Sequence, residues 1–136
     1  TYADYEFRFD KVESPLCLET TPLINGKTYY LGKNLNTVPL TEHLFDNDSF
    51  CMVGLQSDTL GIYEKDSGRA VVCSIKDFPY CLIWSKPGEP KFVCIEPWNS
   101  LPSPENGGIE WNEKPAAAVI APMESWSTSL STAFVR

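Results

Sequence analysis

The chain has 136 residues, 43% of them apolar and 21% charged, an ordinary globular balance that excludes intrinsic disorder and suffices for one domain spanning residues 1–136. Its formal net charge is −7, and its 11 Lys and Arg residues stand singly rather than in a stripe, which argues against a nucleic-acid partner. The longest apolar stretch, Ala116 to Ala121, is far shorter than the ~20 residues of a membrane helix, so no spanning segment and no membrane partner are expected.

The sequence opens Thr1-Tyr2-Ala3-Asp4, with neither an initiator Met nor the regions of a signal peptide, which suggests a fragment or a processed chain. From Tyr5 to Asp10 aromatic and charged residues alternate, the period of two that predicts a strand with one face in a core. Asn25-Gly26, between Leu23-Ile24 and Thr28-Tyr29-Tyr30, predicts a hairpin turn, because both residues tolerate positive φ. Thr41 to Phe45 can form one helical turn after Pro39. A strand is expected from Phe50 to Leu55, and a second hairpin where Asp66-Ser67-Gly68 separates Leu60–Tyr63 from Arg69–Ile75.

Further strands are expected at Tyr80–Trp84, at Phe92–Glu96 and at 126–134, where Trp126, Thr128, Leu130, Thr132 and Phe134 share one face. No window carries a convincing helical period, and 11 prolines with 8 glycines punctuate the chain as in an all-β sandwich or barrel. The five cysteines are an odd number without a C-x-x-C pair, and most lie in apolar strand-like runs. They read as reduced core residues in a cytoplasmic protein. The polar, Pro-, Asn- and Gly-rich segment from Trp98 to Ala116 is longer than most structureless connections, which makes it the first place to look for a site.

The most informative stretch ends at the start of that segment. In Phe92-Val93-Cys94-Ile95-Glu96-Pro97-Trp98, Phe92, Cys94 and Glu96 share one strand face, and Pro97 holds Glu96 extended. A carboxylate leaving the sheet beside Trp98 suits a general base, although the solvent-facing end of a strand would read the same way. His43, the single histidine, reads as a surface residue, and no second His or Cys lies at ligand spacing for a metal. Asp46-Asn47-Asp48 lacks the Gly of a calcium loop. No nucleophile elbow, phosphate loop or dinucleotide fingerprint occurs.

Cys94-Ile95-Glu96-Pro97-Trp98-Asn99-Ser100-Leu101-Pro102 resembles the CIEPW signature in a bacterial branch of the aldose 1-epimerase (galactose mutarotase) family, in which this Glu is the base. Asp77-Phe78-Pro79-Tyr80 through Trp84-Ser85-Lys86-Pro87 is similar to the family's strand before the base, and Glu124 to Ser129 to its closing strand. Tyr5 to Asp10 resembles the strand beyond the family's His-containing segment.

The resemblance implies an antiparallel galactose mutarotase-like supersandwich, of which this chain is about the C-terminal half. It implies Glu96 as catalytic base, with Trp98, Asn99 and Asp48 binding an aldohexose such as glucose or galactose, and no metal or organic cofactor. The family's acid His would fall upstream of Thr1, in an N-terminal half present as a covalent or copurifying segment. Trp84 and Trp98 are both aromatic enough to stack on a sugar, with core packing the expectation for Trp84. Two other readings stay open: a non-catalytic carbohydrate-binding module, and a glycosidase pairing Glu96 with Asp48 or Glu105 at a separation that would decide it.

Overall fold

A computed structural model of the chain describes residues 1–108 and 110–136. Its strands are β1 (Tyr5–Glu13), β2 (Leu16–Thr20), β3 (Ile24–Tyr30), β4 (Leu35–Pro39), β5 (Phe50–Val53), β6 (Thr59–Glu64), β7 (Ala70–Ser74), β8 (Tyr80–Trp84), β9 (Cys94–Trp98) and β10 (Thr132–Val135). Among the described residues the only helical elements are single 3-10 turns at Tyr2–Asp4 and Trp111–Glu113. The strands form two five-stranded sheets, ordered β10-β7-β6-β1-β4 and β3-β2-β5-β8-β9, and neighbouring strands are antiparallel throughout. The expected all-β antiparallel sandwich is what the chain forms.

The alternation in β1 decides how the sheets meet. Phe7 and Phe9 turn inward and are buried with Leu60 of β6, while Cys17, Met52, Cys81 and Ile83 descend from the second sheet into the same core. Phe45 enters from the turn before β5, standing edge-on to Phe7 at 6.4 Å between ring centroids and tilted against Phe50 at 5.8 Å. The helical turn expected at Thr41–Phe45 is instead a run of hydrogen-bonded turns, with Leu44 N–H to Thr41 O and Asp46 N–H to His43 O. Each large apolar side chain sealed here contributes roughly 1.5–3 kcal/mol.

The second hairpin forms as expected, with Gly68 at φ 71 between β6 and β7. The first does not form where the Asn-Gly pair predicts it. Asn25 and Gly26 lie inside β3, and the β2–β3 register slips between Leu18 and Thr20, so the pair, with Lys27, makes a bulge opposite Glu19. Gly26 at φ 81 supplies the backbone this bulge needs, and Asn25 Oδ1 accepts the Lys27 N–H at 3.0 Å. The chain reverses instead at Thr21-Pro22-Leu23, across a cis Thr21-Pro22 bond and a Thr21 N–H to Leu23 O hydrogen bond of 2.9 Å.

Three other strands differ from expectation, the one expected at Phe50–Leu55 by ending at Val53. The strand expected at Phe92–Glu96 begins two residues later and runs through Pro97 to Trp98. An edge strand accommodates a proline because one of its sides has no ladder to supply. The closing strand is only Thr132–Val135, since β7 offers the five residues Ala70–Ser74 for pairing and the ladder ends there. Trp126 and Leu130 lie outside it, and both are exposed.

Candidate active site

The second sheet has two apolar faces, and the one turned away from the sandwich core carries the candidate site. Strand alternation puts Tyr80, Leu82 and Trp84 of β8 on this outer face, with Cys94, Glu96 and Trp98 of β9 beside them. The register is direct: Leu82 faces Glu96, Tyr80 faces Trp98 and Trp84 faces Cys94. Tyr80 and Trp84 are therefore the diagonal neighbours of Glu96, at the ~7–8 Å spacing that aromatic side chains bridge. Glu96 is half-buried within this frame, and its Oε2 accepts a hydrogen bond from the Trp98 indole N–H at 3.1 Å. Desolvation, followed by the negative charge of Glu96 and a hydrogen bond to it, holds the Cys94 thiol above its ordinary value.

After Trp98 the chain crosses this face to the opposite edge of the sheet. Leu101 is buried on the way against Cys51 and Leu82. The crossing is anchored where Ile24 N–H donates to Ser103 O at 3.0 Å and Glu105 N–H donates to Ile24 O at 2.9 Å. Asn99 is half-buried where the crossing leaves β9 and, with Trp98, Ser100 and Lys114, lines a groove of about 390 Å³. The long segment after Trp98 thus has a defined structural task, with Ile109 outside the described residues.

Asp48 lies elsewhere on the sheet. It is exposed in the turn before β5, at φ 73, and lines a larger cleft of about 800 Å³ with Glu19, Tyr29 and Trp84. Glu96 lines neither cleft, and Asp48 does not reach the Trp98 groove. Trp84 is the link: it borders the Asp48 cleft and is one diagonal step from Glu96, while its ring packs at 5.6 Å from Phe92. It packs, as expected, against a core cluster, the one of Cys51, Leu82 and Leu101 on the outer face, together with Tyr80, which the sequence alone did not single out. The alternation in Tyr80–Trp84 is the signal that could have found Tyr80.

The remaining candidates sort simply. Glu105 accepts a hydrogen bond from Thr21 Oγ1 at 3.2 Å in an exposed position. His43 is exposed and its Nδ1 lies 2.9 Å from Asp46 Oδ2. All five cysteines are free, four of them buried. No helix among the described residues is long and apolar enough to cross a membrane.

No protein-family model matches the chain. It is 27% identical, over 129 residues, to the plasmid and chromosomal forms of the protein LacX of Lactococcus lactis subsp. lactis, a match that takes in 91% of this chain and 43% of theirs. A galactose mutarotase related enzyme from Lactobacillus acidophilus superposes with a TM-score of 0.86 at 17% identity, covering 100% of this chain and 46% of that one. A galactose mutarotase-like protein from Lactobacillus casei superposes with a TM-score of 0.70 at 23% identity, covering 96% of this chain and 42% of that one. The chain has the fold of these proteins and spans less than half of the length of each.

Proposed function

We propose that the chain is the base-bearing part of an aldose 1-epimerase, which interconverts the α and β anomers of an aldohexose without a metal or organic cofactor. Glu96 takes the proton from the anomeric hydroxyl as the ring C–O bond opens, and an acid delivers a proton to the ring oxygen, leaving the open-chain aldehyde. Rotation about C1–C2 and reclosure, with the two proton transfers reversed, give the other anomer. General acid or base assistance of this kind is typically worth ~10²–10⁴ in rate. Trp98 and Asn99 hold the sugar near the base, and Asp48 takes a hydroxyl farther out, with Trp84 spanning the interval.

The observation that carries this reading is one half-buried carboxylate set among Tyr80, Trp84 and Trp98 on the outer face of a sheet whose fold is shared with galactose mutarotase-related proteins. Aromatic faces suit the apolar side of a pyranose, and the carboxylate suits the acidic hydroxyl. The acid is supplied from outside this chain, by an N-terminal half present as a covalent or copurifying segment. The chain's spanning 43% of its curated relatives' length supports that reading. The five unpaired thiols fit a reducing cytoplasm.

The test is polarimetry of freshly dissolved α-D-glucose and α-D-galactose with the full-length protein and its Glu96→Gln variant. Loss of at least ~100-fold in the variant is expected. An unchanged rate removes Glu96 from the chemistry. A wild-type protein that binds the sugars and leaves their optical rotation relaxing at the buffer rate is a carbohydrate-binding module instead.

A further inference from the structure

We propose that Trp98 is a positioning residue for Glu96, acting through its indole N–H rather than as a stacking surface alone. The inference rests on the assignment of Glu96 as base and adds a second residue to it. Residues two apart on a strand point to the same face, so the spacing Glu96-Pro97-Trp98 puts the indole beside the carboxylate, and Pro97 restricts the backbone between them to an extended path. The bond runs from Nε1 to Oε2 at 3.1 Å. Indole is a donor only and does not titrate near neutrality, so this partner remains available to the carboxylate at every working pH.

The indole is itself held in place. Trp98 is half-buried, packs in the cluster of Leu82, Leu101 and Cys51 and faces Tyr80 across the ladder. A donor fixed in this way pins Oε2, which limits rotation of the carboxylate and leaves Oε1 as the atom to take the proton. A carboxylate free to rotate about its last bond would spend part of its time with neither oxygen aimed at the sugar. A misplacement of ~1 Å at the reacting atom is worth up to ~10²-fold in rate.

Trp98→Phe separates the two roles, because phenylalanine keeps an aromatic face and loses the donor. In the full-length protein, kcat for anomerisation is expected to fall roughly 10- to 100-fold while KM stays within about twofold. Replacement of Trp98 by benzothienylalanine, which has sulfur in place of the N–H and nearly the same shape, gives the same result without disturbing the packing, should the phenylalanine variant fold poorly. The activity-independent readout is the Trp98 indole ¹H–¹⁵N resonance, expected to move upfield in Glu96→Ala.

Unchanged kcat in both variants, a rise in KM with kcat retained, or an indole resonance indifferent to Glu96→Ala overturns the proposal. Failure of the epimerase reading looks different: Glu96→Gln is then as active as wild type, while the indole resonance still responds to residue 96.

Discussion

Leu82 of β8 stands directly opposite Glu96 of β9, so the carboxylate rests on an apolar floor made by Leu82, 6% exposed, and by Cys51 behind it. Packing alone would put an apolar or neutral residue at position 96, since a half-buried carboxylate needs partners and this one relies on the Trp98 N–H and the Cys94 thiol. The arrangement is one that function would impose against stability.

Glu96→Gln is therefore expected to raise the stability of the full-length protein by about 0.5–1 kcal/mol while removing anomerisation. The amide keeps an oxygen for the Trp98 N–H and loses the charge. Urea denaturation of the two proteins at neutral pH checks the first half and polarimetry the second. A destabilised variant would mean that the carboxylate serves the fold.

Much of the fold could be read from the sequence because it depends on local pattern. The alternation of Tyr5–Asp10, the Asp66-Ser67-Gly68 turn and the apolar run of Tyr80–Trp84 each fix their own element. Asn25-Gly26 misleads because φ > 0 serves a bulge as well as it serves a turn, and which one forms depends on the neighbouring strand β2, beyond any local window. Likewise, the length of β10 is set by its partner β7. At the site, Glu96 and Trp98 could be found because alternation unites them, whereas the separation of Asp48 from Trp98 follows from strand order.

The bulge carries its own prediction, best drawn against a second glycine. A Cβ at Gly26 meets nothing within 4 Å, so any cost there comes from its φ of 81. Gly26→Ala should cost about 1–2 kcal/mol, and Gly26→Asn less, since Asn tolerates the left-handed region. At Gly61 a Cβ would sit 2.9 Å from the Val71 carbonyl oxygen, so the obstacle is steric and Asn should be no better than Ala. Thermal unfolding of the four variants distinguishes the two causes.

The thiols make stability fall at alkaline pH. Burial pushes Cys17 up to about 12, Cys51 to about 11 and Cys81 to about 12, with neighbouring thiols adding to the first and last. A thiol that ionises more readily unfolded than folded stabilises the fold fully below its ordinary value of about 8.5, and that contribution is lost as pH rises toward the folded value. Between pH 8 and pH 10.5 the folding equilibrium constant should drop at least about tenfold more in wild type than in Cys51→Ala, since over that range the unfolded thiol ionises and the buried one stays protonated. At pH 8 a thiol reagent should find only Cys94 in the native chain and all five cysteines in urea.

Glu13 provides the most demanding test of the packing between the ends of β1 and β6. It is 6% exposed, and its Oε1 accepts the backbone N–H groups of Gln56 at 2.7 Å and Ser57 at 2.6 Å, just before β6 begins. Ser57 is itself buried, so its donor has no water to fall back on, whereas Gln56 is exposed. Removing the acceptor from the buried Ser57 N–H costs more than the bond contributes, because that donor stays desolvated. Glu13→Ala should therefore destabilise the protein by about 2–3 kcal/mol, and Glu13→Gln, which keeps an oxygen in place, by less than half of that. Hydrogen exchange should report the Gln56 and Ser57 amides as protected in wild type and fast in the alanine variant, with the β8–β9 amides unaffected. Equal losses in both variants would mean that the charge on Glu13, rather than its position as an acceptor, holds this corner of the sandwich together.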